Sequence, residues 1–191
     1  MSRTTVPGRL CRPVLRRIAA VTALAVTVIW TGSIASAGAV CPDENLVPTQ
    51  LSTREARDAV ACLINEQRAL SGLAALTAHP ALQQAARKHS KAMNKRNFLG
   101  HGSPQRRVKR AGYGGRASAW KVGEVLGWGK GGSGSPMSLV TAWMGSPTHR
   151  TTLLEPGFQE LGIGVVKGSP KVRARRPKSA IYTIDFGYRR P

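Results

Sequence analysis

The chain has 191 residues, with 29 Lys and Arg against 9 Asp and Glu, which gives a formal net charge of +20. Hydrophobic residues make up 41% of the sequence, enough for a packed core, so a wholly disordered basic tail is excluded. A chain of this length is expected to form a single folded domain.

The N-terminal segment has the pattern of a secretory signal peptide. Five arginines and no acid accompany an apolar run at 18–30, and Ala35-Ser36-Ala37 has the small-x-small form of a cleavage site. The run is short for a membrane span, so an uncleaved anchor is the less favoured alternative, and no later run reaches membrane length. We predict a signal peptide over 1–37 and a secreted, extracellular, basic protein with a charge of 24 − 9 = +15.

Two cysteines lie after residue 37, so only one pairing is available. Because export favours disulfides, we predict a Cys41–Cys62 bond that closes a loop of about 20 residues and stabilises the fold by about 3 kcal/mol. A lipoprotein site at Cys41 is disfavoured, because Val40 stands where a small residue is required. A metal site on this pair lacks close spacing and further thiols.

Capping residues and apolar spacing predict five helices. A lead-in over 38–55 carries Cys41 and ends in a capping box at Ser52 and Glu55, before a helix over 53–70. The prolines that follow caps or turn residues predict further helices over 80–97, 104–111, 136–144 and 147–154. In the fourth helix, Met137, Val140 and Met144 are predicted to line one face. The single domain is expected to cover 56–191.

The remaining segments predict loops and strands. Residues 112–134 contain nine glycines and are predicted to be irregular, with one brief strand at 121–126. Residues 161–166 and 180–186 have strand patterns, joined by a basic hairpin loop at 167–178. The element order predicts an α+β fold with helices packed on a small, mainly antiparallel sheet.

Four histidines are candidates for chemistry. His79 precedes a proline and is predicted to be an exposed helix cap, and His89 lies on an apolar helix face, where a core histidine is favoured over a ligand. His101 and His149 lie beside Gly, Ser and Pro at loop or helix starts, where functional side chains tend to sit.

Glu124 is the only acid between Glu66 and Glu155, and its neighbours are small or apolar. Such a setting favours either a positive partner or a neutral carboxyl group. Spacing alone does not bring Glu124 to either histidine. Ser103 and Ser146 are predicted helix caps rather than nucleophiles.

Several segments together resemble one protein family. The sequence reads NEQRALSGL at 65–73, LQQAARKHSKAM at 82–93, NFLGH at 97–101, GE at 123–124 and AWMGSPTHR at 142–150, and strand segments follow at 158–165 and 182–187. In this order they resemble the bacterial branch of the CAP superfamily, the secreted proteins related to plant pathogenesis-related proteins, venom antigen 5 and cysteine-rich secretory proteins. The resemblance covers about residues 62–187.

This resemblance implies a three-layer α-β-α sandwich with a central cleft, lined here by His101, Glu124, Ser146 and His149. Some members bind a divalent metal, often zinc, so His101 and His149 are candidate metal ligands. The chain departs from the family pattern at Val125, where the family carries Asn, and at Ser146, near where eukaryotic members carry a second Glu. The eukaryotic acidic set is therefore incomplete.

Basic residues are concentrated in two segments. Nine lie from Arg87 to Arg110 and six from Lys167 to Lys178, whereas no acid occurs from Gln67 to Gly123. Such segments either keep a secreted protein soluble or bind anionic cell-wall polymers, lipid head groups or extracellular DNA. No motif for specific nucleic-acid recognition is present.

Three functions are compatible with these features. We favour a binding module whose cleft takes a small molecule, a lipid or a cell-wall fragment and whose basic surface adheres to anionic polymers. The alternative is a divalent-metal-dependent hydrolase with the candidate catalytic residues His101, Glu124 and His149, in which two imidazoles and a carboxylate hold zinc. The third is a structural or interaction surface protein with a vestigial cleft. No reaction is identifiable from the sequence, which favours a role other than catalysis.

Overall fold

The structure, a computed structural model, describes residues 41–171 and 178–190. The predicted signal peptide at 1–37 and the middle of the predicted hairpin loop at 167–178 lie outside the described residues. The described helices and strands, in chain order, are α1 (Thr53–Leu70), β1 (Thr77–Ala78), α2 (Pro80–Arg96), α3 (Pro104–Arg110), β2 (Ala119–Lys130), α4 (Pro136–Gly145), α5 (Pro147–Leu153), β3 (Glu160–Lys167) and β4 (Ser179–Arg190). None of these helices is long and apolar enough to cross a membrane.

The four strands form one sheet in the order β1-β3-β4-β2. The short β1 pairs parallel with β3, and the other two pairs are antiparallel. The main apolar core joins α1, α4 and α5 to one face of the sheet. Helix α2 covers the other face, and α3 packs against α2. The predicted α-β-α sandwich with a small, mainly antiparallel sheet is confirmed.

The disulfide that the cysteine count predicted is present. Cys41 and Cys62 are bonded, with their Cα atoms 5.7 Å apart. Cys41 is 1% exposed and Leu51 is 2% exposed, and both belong to the main core. The disulfide therefore ties the described part of the lead-in to α1, and this part packs with the rest of the fold.

Two glycines allow α2 to rest directly on the sheet. A Cβ atom at Gly162 would lie 2.1 Å from the backbone N of Gln83, and one at Gly164 would lie 2.3 Å from the carbonyl C of Ala86. No side chain larger than hydrogen fits at either position. Ser90 Oγ also donates to the Gly164 carbonyl at 3.0 Å. These contacts fix the position of α2 on the sheet.

The prediction that residues 112–134 are irregular with only a brief strand was wrong. The segment contains the twelve-residue strand β2, followed by a 3-10 turn at Gly131–Gly134. A Cβ atom at Gly123 would lie 2.8 Å from the Phe158 ring, and one at Gly127 would lie 2.8 Å from the Trp143 ring. These glycines serve close packing of large aromatic side chains against the strand. Their presence was mistaken for a loop signal.

Smaller corrections concern α4, α5 and β4. Leu139, Val140 and Trp143 form the buried face of α4, whereas Met137 and Met144 are partly buried at its edges. The buried face of α4 therefore differs from the predicted face, because the Trp143 indole lies in the middle of it.

The last strand extends four residues beyond the predicted end, from 186 to 190. The Ser146 side chain makes no capping hydrogen bond at the start of α5, unlike the predicted cap Ser103, which accepts from the Arg106 N–H.

The NEQRALSGL segment has a structural role at the end of α1. Arg68 is 1% exposed, and its guanidinium donates to four carbonyl groups, those of Ala74, Leu153, Glu155 and Phe158. Asn65 accepts from the N–H of Leu76 at 2.8 Å and donates to its carbonyl at 3.1 Å. Burial lowers the pKa of Arg68, and the nearby Glu155 opposes this shift. These contacts join the end of α1 to the end of α5 and to the segment before β3.

Candidate functional site

His101 and Glu124 meet on the α2 side of the sheet. Nδ1 of His101 lies 2.8 Å from Oε1 of Glu124. The Glu124 side chain is 1% exposed, whereas the His101 side chain is 50% exposed. The carboxylate therefore holds the imidazole through Nδ1, which leaves Nε2 as the ring nitrogen for a ligand or proton.

Arg107 of α3 completes this arrangement. One of its terminal nitrogens pairs with Oε2 of Glu124, and the other donates to the backbone carbonyl of His101. Both carboxylate oxygens of Glu124 are thus occupied, one by His101 and one by Arg107. The guanidinium neutralises the buried carboxylate, which would be costly to bury alone. The sequence placed Arg107 only within a run of basic residues, and no feature of that run distinguishes it.

Asp185 is a second buried acid at this site, and the sequence analysis missed it. It lies directly opposite Glu124 in the β2–β4 ladder, is 0% exposed, and neither of its oxygens accepts a hydrogen bond from a described donor. Burial raises its pKa well above the usual range, and the negative charge of Glu124 adds to this effect, while Arg107 opposes it. The signal in the sequence was an acid within the apolar run AIYTIDF.

His89 fixes the segment that carries His101. It is 5% exposed, and its Nε2–H donates to the carbonyl of Gly100 at 2.8 Å. Its ring lies against Phe98, with the ring centroids 6.0 Å apart. Burial lowers the pKa of His89, and the positive charge of Arg107 adds to this. The prediction of a core histidine is confirmed.

His79 caps α2 as predicted, but it is half-buried rather than exposed. Its Nδ1 accepts from the N–H of Ala81 at 3.2 Å, and its ring contacts Tyr113 with centroids 5.0 Å apart. Tyr113 in turn donates to Glu160, which also pairs with Arg189. This cluster connects the start of α2 to β3 and β4.

The other two predicted cleft residues lie at the start of α5. His149 is half-buried and, within the described part of the chain, takes part in no hydrogen bond or ion pair that links it to His101 or Glu124. Ser146 precedes α5 and is likewise half-buried. The structure thus brings two of the predicted residues, His101 and Glu124, into direct contact.

The donor set can be tested against the zinc site that the hydrolase hypothesis requires. Residues 41–171 and 178–190 contain no group of three or more His, Cys, Asp or Glu side chains placed to hold a metal ion. Because both oxygens of Glu124 are engaged, the imidazoles of His101 and His149 are the donors that the predicted cleft residues leave for a metal. A zinc site with catalytic geometry ordinarily takes three protein ligands. The described residues do not fit that three-ligand site.

The basic residues of α2 and α3 form an exposed surface, here called the basic surface. Of the nine basic residues from Arg87 to Arg110, only Arg107 pairs with a carboxylate of the described residues. The other eight are all exposed: Arg87, Lys88, Lys91, Lys95, Arg96, Arg106, Lys109 and Arg110. These eight cations lie on two neighbouring helices and form no ion pair with a described residue.

The comparisons with known proteins define the family. The profile of the Cysteine-rich secretory protein family (CAP) matches residues 62–186, which is more than half of the chain. The chain therefore belongs to the CAP family. It is 30% identical over 125 residues to the uncharacterized protein YkwD of Bacillus subtilis (strain 168), a match that covers 63% of this chain. The chain spans only 45% of the length of that relative.

Solved structures share the fold. An outer surface protein from Borrelia burgdorferi matches with a TM-score of 0.60 at 20% identity, over 73% of this chain and 97% of that one. An extracellular protein containing an SCP domain from Bacillus anthracis str. Ames matches with a TM-score of 0.55 at 23% identity, over 74% of this chain and 44% of that one. At these identities the likeness establishes the fold.

Proposed function

We propose that this chain is an exported CAP-family binding domain that adheres to anionic polymers through the basic surface. The observation that carries the proposal is that all eight residues of this surface are exposed and none pairs with a described carboxylate. Interspersed charges of both signs are sufficient for solubility. A field of one sign instead concentrates polyanions and raises their rate of association.

Three features support export. The segment 1–37 has the charge, apolar run and cleavage pattern of a signal peptide. The Cys41–Cys62 disulfide is typical of an oxidising compartment. Similar structures are described as an outer surface protein and an extracellular protein.

The half-exposed His101 ring, held by Glu124, is the group we propose to contact a small ligand in the predicted cleft.

Salt dependence tests the adhesion. Purified protein is passed over a sensor coated with inorganic polyphosphate, with neutral dextran as the control surface. We expect binding at about 50 mM NaCl that is largely lost at about 500 mM, because the screening length falls from more than 10 Å to about 4 Å. Binding that is unchanged by salt, or equal on dextran, would contradict the proposal.

A metal-dependent hydrolase remains the second candidate, and one observation favours it. A carboxylate bonded to Nδ1 of a histidine is the usual way to orient Nε2 toward a metal, and Glu124 holds His101 in this manner. Zinc, if bound, would supply a Lewis acid and an activated water. The residues of this chain left to hold it are His101 and His149, one fewer than the three protein ligands of an ordinary catalytic zinc site.

Calorimetric titration of zinc tests the hydrolase candidate. The hydrolase hypothesis predicts one-to-one binding that is lost in both His101→Ala and His149→Ala. Zinc binding that persists in His149→Ala would show that the two histidines do not share a site. In that case the hydrolase hypothesis fails for this pair of histidines, and the adhesion proposal is unaffected.

A further inference from the structure

A groove of about 440 Å³ runs beside α2, at the edge of the sheet where β1 ends. The end of β1 and the N-cap of α2 form one part of its wall. The remainder consists of α2 side chains with polar or cationic ends: Gln83, Gln84, Arg87, Lys88 and Lys91. Among the described residues, no Asp or Glu lines the groove. The groove gives the basic surface a concave part.

The cations of this groove are unpaired, and they project from a helix whose position is fixed by packing. Arg87, Lys88 and Lys91 are exposed, and none forms an ion pair within residues 41–171 and 178–190. The helix that carries them rests on the backbone of β3 through Gly162 and Gly164, so the side chains extend from a fixed base. With a rise of about 1.5 Å per residue, Arg87 and Lys91 are about 6 Å apart along the helix axis.

A second groove serves as an internal comparison. It has a volume of about 600 Å³ and includes Arg116, Arg189 and Arg190, but Glu160 also lines it. Arg189 is engaged with both oxygens of Glu160, at 2.6 and 3.1 Å. Arg190 donates to the hydroxyl of Tyr188 at 3.3 Å. Because Arg189 and Arg190 already have hydrogen-bond partners and Glu160 adds a negative charge, this groove is less suited to bind an anion than the groove beside α2.

We infer that the α2 groove binds a chain of sugars or polyols joined by phosphodiester groups. Arg87 would take a phosphate through its planar fork, and Lys88 and Lys91 would contact neighbouring phosphates as point charges. The amides of Gln83 and Gln84 both donate and accept, which suits the hydroxyl groups between phosphates. This inference rests on the proposed adhesion to anionic polymers and assigns that adhesion a site and a ligand chemistry.

The test uses two triple variants that lose the same charge. The groove variant combines Arg87→Gln, Lys88→Gln and Lys91→Gln, and the matched control combines Arg106→Gln, Lys109→Gln and Arg110→Gln on α3. All six residues are exposed and pair with no described carboxylate, so both variants are expected to keep the fold, which circular dichroism verifies. Affinity is measured for a defined oligo(glycerol phosphate), for polyglutamate of the same charge, and for phosphatidylglycerol vesicles.

The groove variant is expected to bind oligo(glycerol phosphate) at least about tenfold more weakly than the control variant, the equivalent of one charge-assisted hydrogen bond. A third variant with Gln83→Ala and Gln84→Ala is expected to lose affinity for oligo(glycerol phosphate) and to keep its affinity for polyglutamate. Equal losses in the two triple variants would overturn the groove assignment and leave the adhesion proposal standing. Vesicle binding that exceeds polymer binding and is lost in the groove variant would assign the groove to a lipid surface instead. If the wild-type protein binds none of the three probes, the adhesion proposal itself fails.

Discussion

Replacing Arg107 by Gln probes how the candidate site is held together. The change removes the cation that pairs with Glu124 and the donor to the His101 carbonyl, while it keeps a polar side chain of moderate length. Glu124 is 1% exposed, so its carboxylate would stay buried with His101 as its remaining partner. A second carboxyl group, that of Asp185, lies opposite it in the sheet.

The expected cost follows from this burial. Removing one partner of a buried ion pair typically destabilises by about 3–5 kcal/mol, because the other charge remains without compensation. The His101 carbonyl lies near the surface and can turn to water, which keeps the second lost hydrogen bond to about 1 kcal/mol or less. We therefore expect the free energy of unfolding to fall by about 4 kcal/mol, within the 5–15 kcal/mol that domains typically possess.

A double-mutant cycle measures this coupling. Urea unfolding is followed by tryptophan fluorescence for Arg107→Gln, Glu124→Gln and the double variant, with the exposed Arg106→Gln as the control. The double variant has no buried carboxylate at position 124. We therefore expect its free energy of unfolding to exceed that of Arg107→Gln by about 2 kcal/mol or more. A loss below about 1 kcal/mol in Arg107→Gln, or strictly additive losses in the double variant, would refute the reasoning.

Two further predictions concern buried charged groups. Burial raises the pKa of Asp185 in the folded state, so the folded protein binds the proton of this carboxyl group more tightly than the unfolded chain does. The protonated carboxyl group therefore favours the folded state at low pH, and this stabilisation is lost as the pH rises above the unfolded pKa of about 4. Asp185→Asn is therefore expected to gain stability relative to wild type as the pH rises above about 4 in urea unfolding, whereas the exposed Asp58→Asn should run parallel to wild type. Arg68→Met removes the donor to four carbonyl groups and is expected to lower the free energy of unfolding by about 3–5 kcal/mol. The control Arg54→Met changes an exposed residue and is expected to lower it by about 0.5 kcal/mol or less. Equal midpoints of the two variants in thermal unfolding would contradict this prediction.

The candidate site was predicted in part. His101 and Glu124 stood out because each is an unusual residue for its local surroundings, and the structure joins them at 2.8 Å. Arg107 and Asp185 were missed because their importance depends on strand register and helix docking, which bring them to Glu124 from distant parts of the chain. His149 stood out for its position beside Ser and Pro at a helix start and through the family resemblance, and its part in the site stays a prediction.

Local sequence signals determined the helices, the disulfide and the fold class. Serine caps, prolines at first helical positions and apolar spacing act over a few residues, so the predicted helices agree with the observed α1–α5 to within one or two residues. Two cysteines after residue 37 left a single pairing, which is the one observed. The unbalanced charge between 87 and 110 was likewise explicit in the sequence.

Only the tertiary structure decided the extent of β2, the partners of the buried acids and the shape of the basic surface. The glycines of β2 are required by aromatic rings that arrive from α4 and from the segment before β3, and no local pattern encodes that approach. The groove beside α2 is lined by that helix and by the end of β1, and Gly162 and Gly164 let the helix sit directly against β3. The sequence determines which groups are charged, whereas packing between distant segments determines which of those charges are neutralised and which remain available to bind.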